Sequence, residues 1–452
     1  MSHPILSETM MFSISPFDSS LFRELLSDSE AARLLGDEAR ISAMLTTEGE
    51  LALAQADCGL IPRDAAEAIA RTAATLTVPA IKLASGTGAA GVPVPALVRA
   101  LKQALPEEQA RWVHFGATSQ DIVDTALVLN CRALLMLFEQ RLANLISSLA
   151  ALARTHRHTL TAGRTRTQQA VPMNFGFKVA NWLAPLLRQQ ERLQQLKPRL
   201  LKVQLAGAVG TLAAMGEQAP RIAERLAERL ALAPGRNWHT QRDSLVELAD
   251  WLSMTTGVLG KMGQDWLWLS QTEVGEVTFS NGGGSSTMPQ KCNPVNAEML
   301  VAMARHNAGL TGQMHQAMLQ EHERSGSAWA QEWLVLPTML MATAVGLHHA
   351  QEALDHLVVN TGRMQANLEL HNGVIFAEAA TFALARHMPR DQAADLVKAA
   401  CQQALTGQQH LFELIREQCG HQLDLAQLQQ HLLEGGATLA WFDDILNAAG
   451  PA

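Results

Sequence analysis

The sequence predicts an all-α fold of three domains around a central bundle of long helices, and three apolar stripes carry that prediction. Leu248, Leu252, Thr255, Leu259, Met262, Trp266 and Leu269 recur at alternating spacings of four and three, the repeat that lines one face of a helix. Ile122, Ala126, Leu129, Ala133 and Leu137 form a second stripe, and Leu300, Met303, Asn307, Leu310, Met314 and Ala317 a third. Helices of about thirty residues would be roughly 45 Å long. Apolar faces of that length usually pack as bundles, often across subunits.

In chain order, residues 1–110 read as an N-terminal helical domain. Thr77–Pro95, rich in proline and glycine, reads as an ordered loop near its end. Residues 111–365 read as the bundle domain. Its first long helix runs from Asp121 towards His156, and its second lies between Asn174 and Leu205, with Pro185 as a kink. The helix through Leu248 and Leu269 follows, then one after Pro294 and another from near Trp329. Residues 366–452 read as a small C-terminal helical domain, because the long stripes give way near Asn360–Asn372.

Composition narrows the function classes. The 452 residues are 48% hydrophobic, enough for a large core, and contain no run of eighteen uncharged apolar residues, so no transmembrane helix is expected. No basic region followed by an apolar run opens the chain, so no secretory signal is expected. Five widely spaced cysteines without a CxxC argue against a disulfide framework and fit a reducing cytoplasm. A formal net charge of −8 disfavours nucleic acid as a partner, yet leaves room for an anionic small molecule held by a local group of cations. His156/His158 and His348/His349 lack metal-ligand spacing, and no HExxH is present, so no metal is expected. Gly86-Thr87-Gly88-Ala89-Ala90-Gly91 fits GxGxxG, but Pro93 and Pro95 are read as forbidding the helix that a dinucleotide site needs at its last glycine.

The chemistry concentrates in Gly284-Ser285-Ser286-Thr287-Met288-Pro289-Gln290-Lys291-Cys292-Asn293-Pro294, preceded by Gly282 and Gly283. Glycines let backbone N–H groups close around an anion. Lys291 adds a mobile positive charge, Asn293 a directional donor, and Ser285 a proton-transfer group where its alkoxide is stabilised. Such a loop suits adding or removing a proton beside a carboxylate. On composition alone the run also reads as a Gly/Ser linker ending at Pro294.

The run resembles the signature loop of the fumarase/aspartase superfamily, GSSxMPxKxNP, at every fixed position. His114-Phe115-Gly116-Ala117-Thr118-Ser119-Gln120-Asp121 resembles that superfamily's first motif. Gly163-Arg164-Thr165-Arg166-Thr167-Gln168-Gln169-Ala170-Val171-Pro172 resembles its second, GRTH, with Arg166 at the histidine position. Gln169 stands where adenylosuccinate lyases carry a second histidine. Within the superfamily, Arg111-Trp112-Val113-His114, Glu321-His322-Glu323-Arg324-Ser325, Trp329 and Glu332-Trp333 are similar to the bacterial carboxymuconate cycloisomerase family, and the resemblance covers nearly the whole chain.

That resemblance implies a fumarase/aspartase-like homotetramer whose active sites draw on more than one subunit. The implied reaction is cycloisomerisation of 3-carboxy-cis,cis-muconate, a small tricarboxylate, by anti addition in protocatechuate degradation, with no cofactor, nucleic acid or membrane involved. Ser285, Lys291 and Arg166 are the implied catalytic residues. His114, Thr118, Ser119, Gln169, Ser286, Asn293 and Arg324 are the implied substrate-binding residues. Losing the GRTH histidine suits a reaction whose nucleophile is a carboxylate. In reverse that group leaves as a weak base and needs no proton at neutral pH, so a permanent cation serves instead. Two alternatives stay open: a fumarate-releasing lyase of the adenylosuccinate or argininosuccinate type, and a catalytically silent structural homologue.

Overall fold

The computed structural model describes residues 13–284, 287–420, 423–434 and 437–450. The chain divides into two units: residues 1–141, 189–257 and 303–348 make the first, and residues 142–188, 258–302 and 349–452 the second. The fold is all-α, built on the long helices that the stripes predicted. These are α5 (Ser119–Thr155), α6 (Phe175–Leu200), α7 (Asp243–Leu269), α8 (Val295–Gln316) and α9 (Ser327–Asp355). Helix α6 continues through Pro185 as one element.

Among the shorter helices that precede them are α1 (Asp37–Asp57), α2 (Arg63–Thr75), α3 (Ala80–Ala90) and α4 (Val94–Gln103). Helices α1 and α2 approach closely at Gly49, where a Cβ would lie 3.2 Å from the Ala70 Cα. The core of the first unit gathers Leu51, Ile69, Leu97, Leu101, Ile122 and Leu226. That of the second gathers Ala162, Phe376, Leu384, Val397 and Ile415.

Helices α3 and α4 replace the loop expected over Thr77–Pro95. Gly91, at φ +74°, ends α3 in the left-handed region that favours glycine. Pro95 then falls in the first turn of α4, where a missing N–H costs nothing. The prolines therefore start a helix rather than forbid one. The GxGxxG match is mostly helical, and no strand precedes it among the described residues.

Among the described residues the helical periodicity left out three two-stranded antiparallel sheets: β1 (Leu160–Thr165) with β2 (Gln168–Asn174), β3 (Val277–Phe279) with β6 (Leu357–Val359), and β4 (Gly283–Gly284) with β5 (Cys292–Asn293). Strands of two to seven residues give too few repeats to register a period of two.

The stripe from Leu248 to Leu269 is buried within the single chain, from 0% exposed at Leu248 to 5% at Leu269. The expectation that apolar faces of this length pack across subunits is therefore corrected for this stripe. The exposed face of α7 carries Met254, Gly257, Lys261 and Trp268 instead, and Trp268 is 49% exposed rather than packed like Trp251 and Trp266. Among the described residues one helix, α9, is long and apolar enough to cross a membrane, and 72% of its most apolar window is buried inside the protein.

Candidate active site

In the first unit the site is organised around the N-terminus of α5. Thr118 precedes the helix, and its backbone N–H donates to Asp121 Oδ2 at 2.9 Å, so the third helical residue caps the first turn. The same carboxylate accepts from Ala206 N at 2.8 Å, Gly207 N at 3.0 Å and His239 Nε2 at 2.9 Å. Asp121 is 1% exposed and these four bonds occupy its lone pairs. It therefore pins the 206–207 loop against the motif. The Thr118 and Ser119 hydroxyls have no partner among the described residues. They stand at the positive end of a 37-residue helix, a setting that favours an anion.

Arg324 joins this knot from far along the chain. One of its terminal nitrogens, Nη2, donates to the Ala208 carbonyl at 2.7 Å and more weakly to that of Gly207 at 3.4 Å. It forms no ion pair with a described residue, and its buried Nε has no partner among them. His114 places Nδ1 2.6 Å from Glu48 Oε1. Burial pulls this imidazole down, but the charge and hydrogen bond of Glu48 outweigh it and hold His114 above its ordinary value.

Behind the motif, Arg242 bridges two buried acids. It contacts Asp124 at 2.6 Å and 3.1 Å, and Glu332 at 2.7 Å and 2.5 Å, with the Trp238 ring 4.9 Å from its guanidinium carbon. Trp329 Nε1 also reaches Asp124, at 3.3 Å. Burial pushes the Glu332 carboxyl above its usual range, against the pull of Arg242 and with Asp124 adding to the push. This network ties the first turns of α5 to α9 and leaves no charge of its own free for a ligand.

In the second unit the GRTR segment forms a β-hairpin. Thr165 pairs with Gln168, so Arg166 and Thr167 alone make the turn, at φ +49° and +68°. Two consecutive left-handed residues are what the twist of a two-residue hairpin demands. Asn and Gly normally fill them, and each residue with a Cβ costs about 1–2 kcal/mol there. Arg166 is thus held exposed at a strained tip, and its guanidinium has no partner among the described residues. Arg164 is spent on structure: it meets the buried Glu276 at 2.7 Å and 3.0 Å, alongside Thr161 and Asn367. Gln169 Nε2 donates to the Asn367 carbonyl at 3.0 Å. The pairing slips between Ala162 and Arg164, and there a Cβ on Gly163 would lie 2.7 Å from the Val171 carbonyl oxygen.

The signature run also forms a hairpin, with Gly283 paired to Asn293 and Gly284 to Cys292. Met288-Pro289-Gln290-Lys291 closes a turn through the Lys291 N–H to the Met288 carbonyl, 3.0 Å. The side chains of Lys291 and Asn293 bond to no described residue. Cys292 Sγ donates to the Phe279 carbonyl at 3.3 Å. Ser285 and Ser286 lie outside the described residues.

The structure therefore joins Thr118, Ser119 and Arg324 through Asp121 and Gly207, and places His114 nearby in the same unit. Arg166, Gln169, Lys291 and Asn293 belong to the second unit. Reading the residues missed Glu48, His239, Asp124 and Glu276. The first three are held by contacts across long stretches of chain, as is Glu276 by Arg164, and no local pattern reports these. The Asp121 cap was legible as Thr-x-x-Asp ahead of an apolar run.

Residues 27–309 match a family described as lyase. The chain is 40% identical over 408 residues to the 3-carboxy-cis,cis-muconate cycloisomerase of Acinetobacter baylyi, covering 88% of this chain and 90% of that one. It is 42% identical over 427 residues to the enzyme of the same name from Pseudomonas aeruginosa, covering 91% and 93%. The solved structure of the 3-carboxy-cis,cis-muconate lactonizing enzyme from Pseudomonas putida superposes with a TM-score of 0.89 at 38% identity, covering 95% and 99%. With this match over more than half its length, the three motifs and the all-α fumarase-like fold, the chain belongs to the lyase family.

Proposed function

We propose that the chain cyclises 3-carboxy-cis,cis-muconate to 4-carboxymuconolactone, an intramolecular lyase reaction of protocatechuate degradation. The observation that carries this reading is the unspent donor set. Thr118, Ser119 and Arg324 in one unit, and Arg166, Lys291 and Asn293 in the other, have side chains with no acidic partner among the described residues. Donors without an acid to neutralise them suit a small polycarboxylate, and relatives at 40% and 42% identity are named for this reaction.

In the proposed reaction one substrate carboxylate oxygen attacks a conjugated carbon and forms the ring C–O bond. The displaced electron pair passes to the neighbouring carbon and into its carboxyl group, making an aci-carboxylate. Lys291, Asn293 and loop N–H groups, with Ser286, stabilise that charge. Ser285 gives its proton to the carbon, forming the C–H bond, and is reprotonated from solvent. Arg166 orients the attacking carboxylate. Thr118, Ser119 and His114 hold a second carboxylate at the N-terminus of α5, Arg324 holds the third, and Gln169 holds a carboxylate by a neutral hydrogen bond. No cofactor is assigned a step. We assign the complete site to a homotetramer, three-domain subunits each supplying part of it. Exposed Met136, Met254, Trp268 and Leu334 on the long helices support subunit contacts.

Offering the purified protein 3-carboxymuconate, adenylosuccinate and argininosuccinate side by side tests the reading. Loss of the conjugated-diene absorbance of the muconate, with no metal or nucleotide added, is expected. Turnover of either succinate with the muconate untouched would assign the chain to the fumarate-releasing lyases, and turnover of none to a silent homologue.

A further inference from the structure

Glu48 sits in the middle of α1 between buried Met44, Leu45, Leu51 and Ala52. Its side chain is 1% exposed, and its one ion-pair partner among the described residues is His114. The second oxygen, Oε2, is fully buried without a partner among them. A carboxylate in an apolar core costs several kcal/mol unless matched, and an alanine or leucine would serve packing better. His114 in turn adopts φ +62°, a backbone that costs a residue with a Cβ about 1–2 kcal/mol. Two unfavourable features meet at one contact of 2.6 Å, the pattern of a site held for function rather than stability.

The contact determines what the ring offers. Glu48 accepts a hydrogen bond from Nδ1–H, while Nε2 has no partner among the described residues and the ring remains 20% exposed. The charged groups that face His114 are Glu48 from α1, Asp121 from the first turn of α5 and Lys102 from the end of α4. The first two favour the imidazolium and Lys102 opposes it; Asp121 acts only at a distance, its oxygens being occupied.

We infer that Glu48 is a positioning residue that orients His114 through Nδ1 and presents Nε2–H as a charged donor to a carboxylate of the substrate. This rests on reading His114 as a substrate-binding residue. The raised imidazole fits: the donor is intact below the raised midpoint and lost as pH climbs through it.

The test is Glu48→Gln, read by NMR titration of the His114 ring and by the pH profile of kcat/KM. The expected result is a His114 midpoint lower by about one pH unit or more, an alkaline limb of kcat/KM displaced by the same amount, and activity recovered on acidification. In a His114→Gln background, Glu48→Gln should change kcat/KM little. An unmoved ring titration overturns the inference. A titration that moves while the limb stays leaves the pairing intact and overturns the substrate-binding reading beneath it. Should Glu48→Gln not fold, the unaltered protein decides: a His114 midpoint below the ordinary imidazole value overturns the inference, and one above it supports it.

Discussion

At the scale of single residues, the site is distinguished by which cations are already spent. Arg164 and Arg242 are fully committed, to Glu276 and to Asp124 with Glu332. Among the described residues Arg324 is held only by backbone carbonyls, so its charge is available to a ligand. Arg324→Ala should therefore lower kcat/KM by roughly ten- to a hundred-fold, as a lost charged hydrogen bond of about 1.5–3 kcal/mol requires. Thermal stability should change little, because no ion pair among the described residues is broken. A large drop in Tm with near-normal kcat/KM would show that Arg324 serves the fold instead.

At the scale of elements, two hairpins carry the proposed site residues of the second unit. The β1–β2 hairpin holds Arg166 on a two-residue turn, and its register depends on the close approach at Gly163. Gly163→Ala should push the strands apart there, an overpacking cost of about 1–3 kcal/mol. We expect kcat/KM to fall roughly tenfold or more as the tip moves, with the circular dichroism of the long helices unchanged. Normal kinetics in the folded variant would show that the position of the tip is not limiting.

At the scale of the whole molecule, the stripe of α7 is buried and cannot support assembly, so the proposed tetramer is assigned to the opposite face. Met254 and Trp268 lie about four turns apart on that face, with Gly257 between them offering no side chain to keep a neighbour away. Light scattering at micromolar concentration should give four times the 49.0 kDa chain mass. Trp268→Arg should shift the protein to smaller species and reduce activity with them. A monomer that turns over substrate at full rate would sink both the tetramer and the shared site.

The sequence by itself determined the helical class, the spans of the long helices and the identity of the motif residues. Helical periodicity and capping are local, written within a few neighbouring positions, so Thr118 to Asp121 and the stripe through Leu248 were legible in the order of the residues alone. Only the tertiary structure decided which charges are spent. Arg164 and Arg166 stand two positions apart in one motif, yet one is tied to Glu276 and the other is not, because the partner arrives from over a hundred residues away. The Glu48–His114 contact and the exposed face of α7 were likewise settled by distant approach. Burial and ion pairing depend on what packs against a residue, and the residue's own neighbours in the chain do not record that.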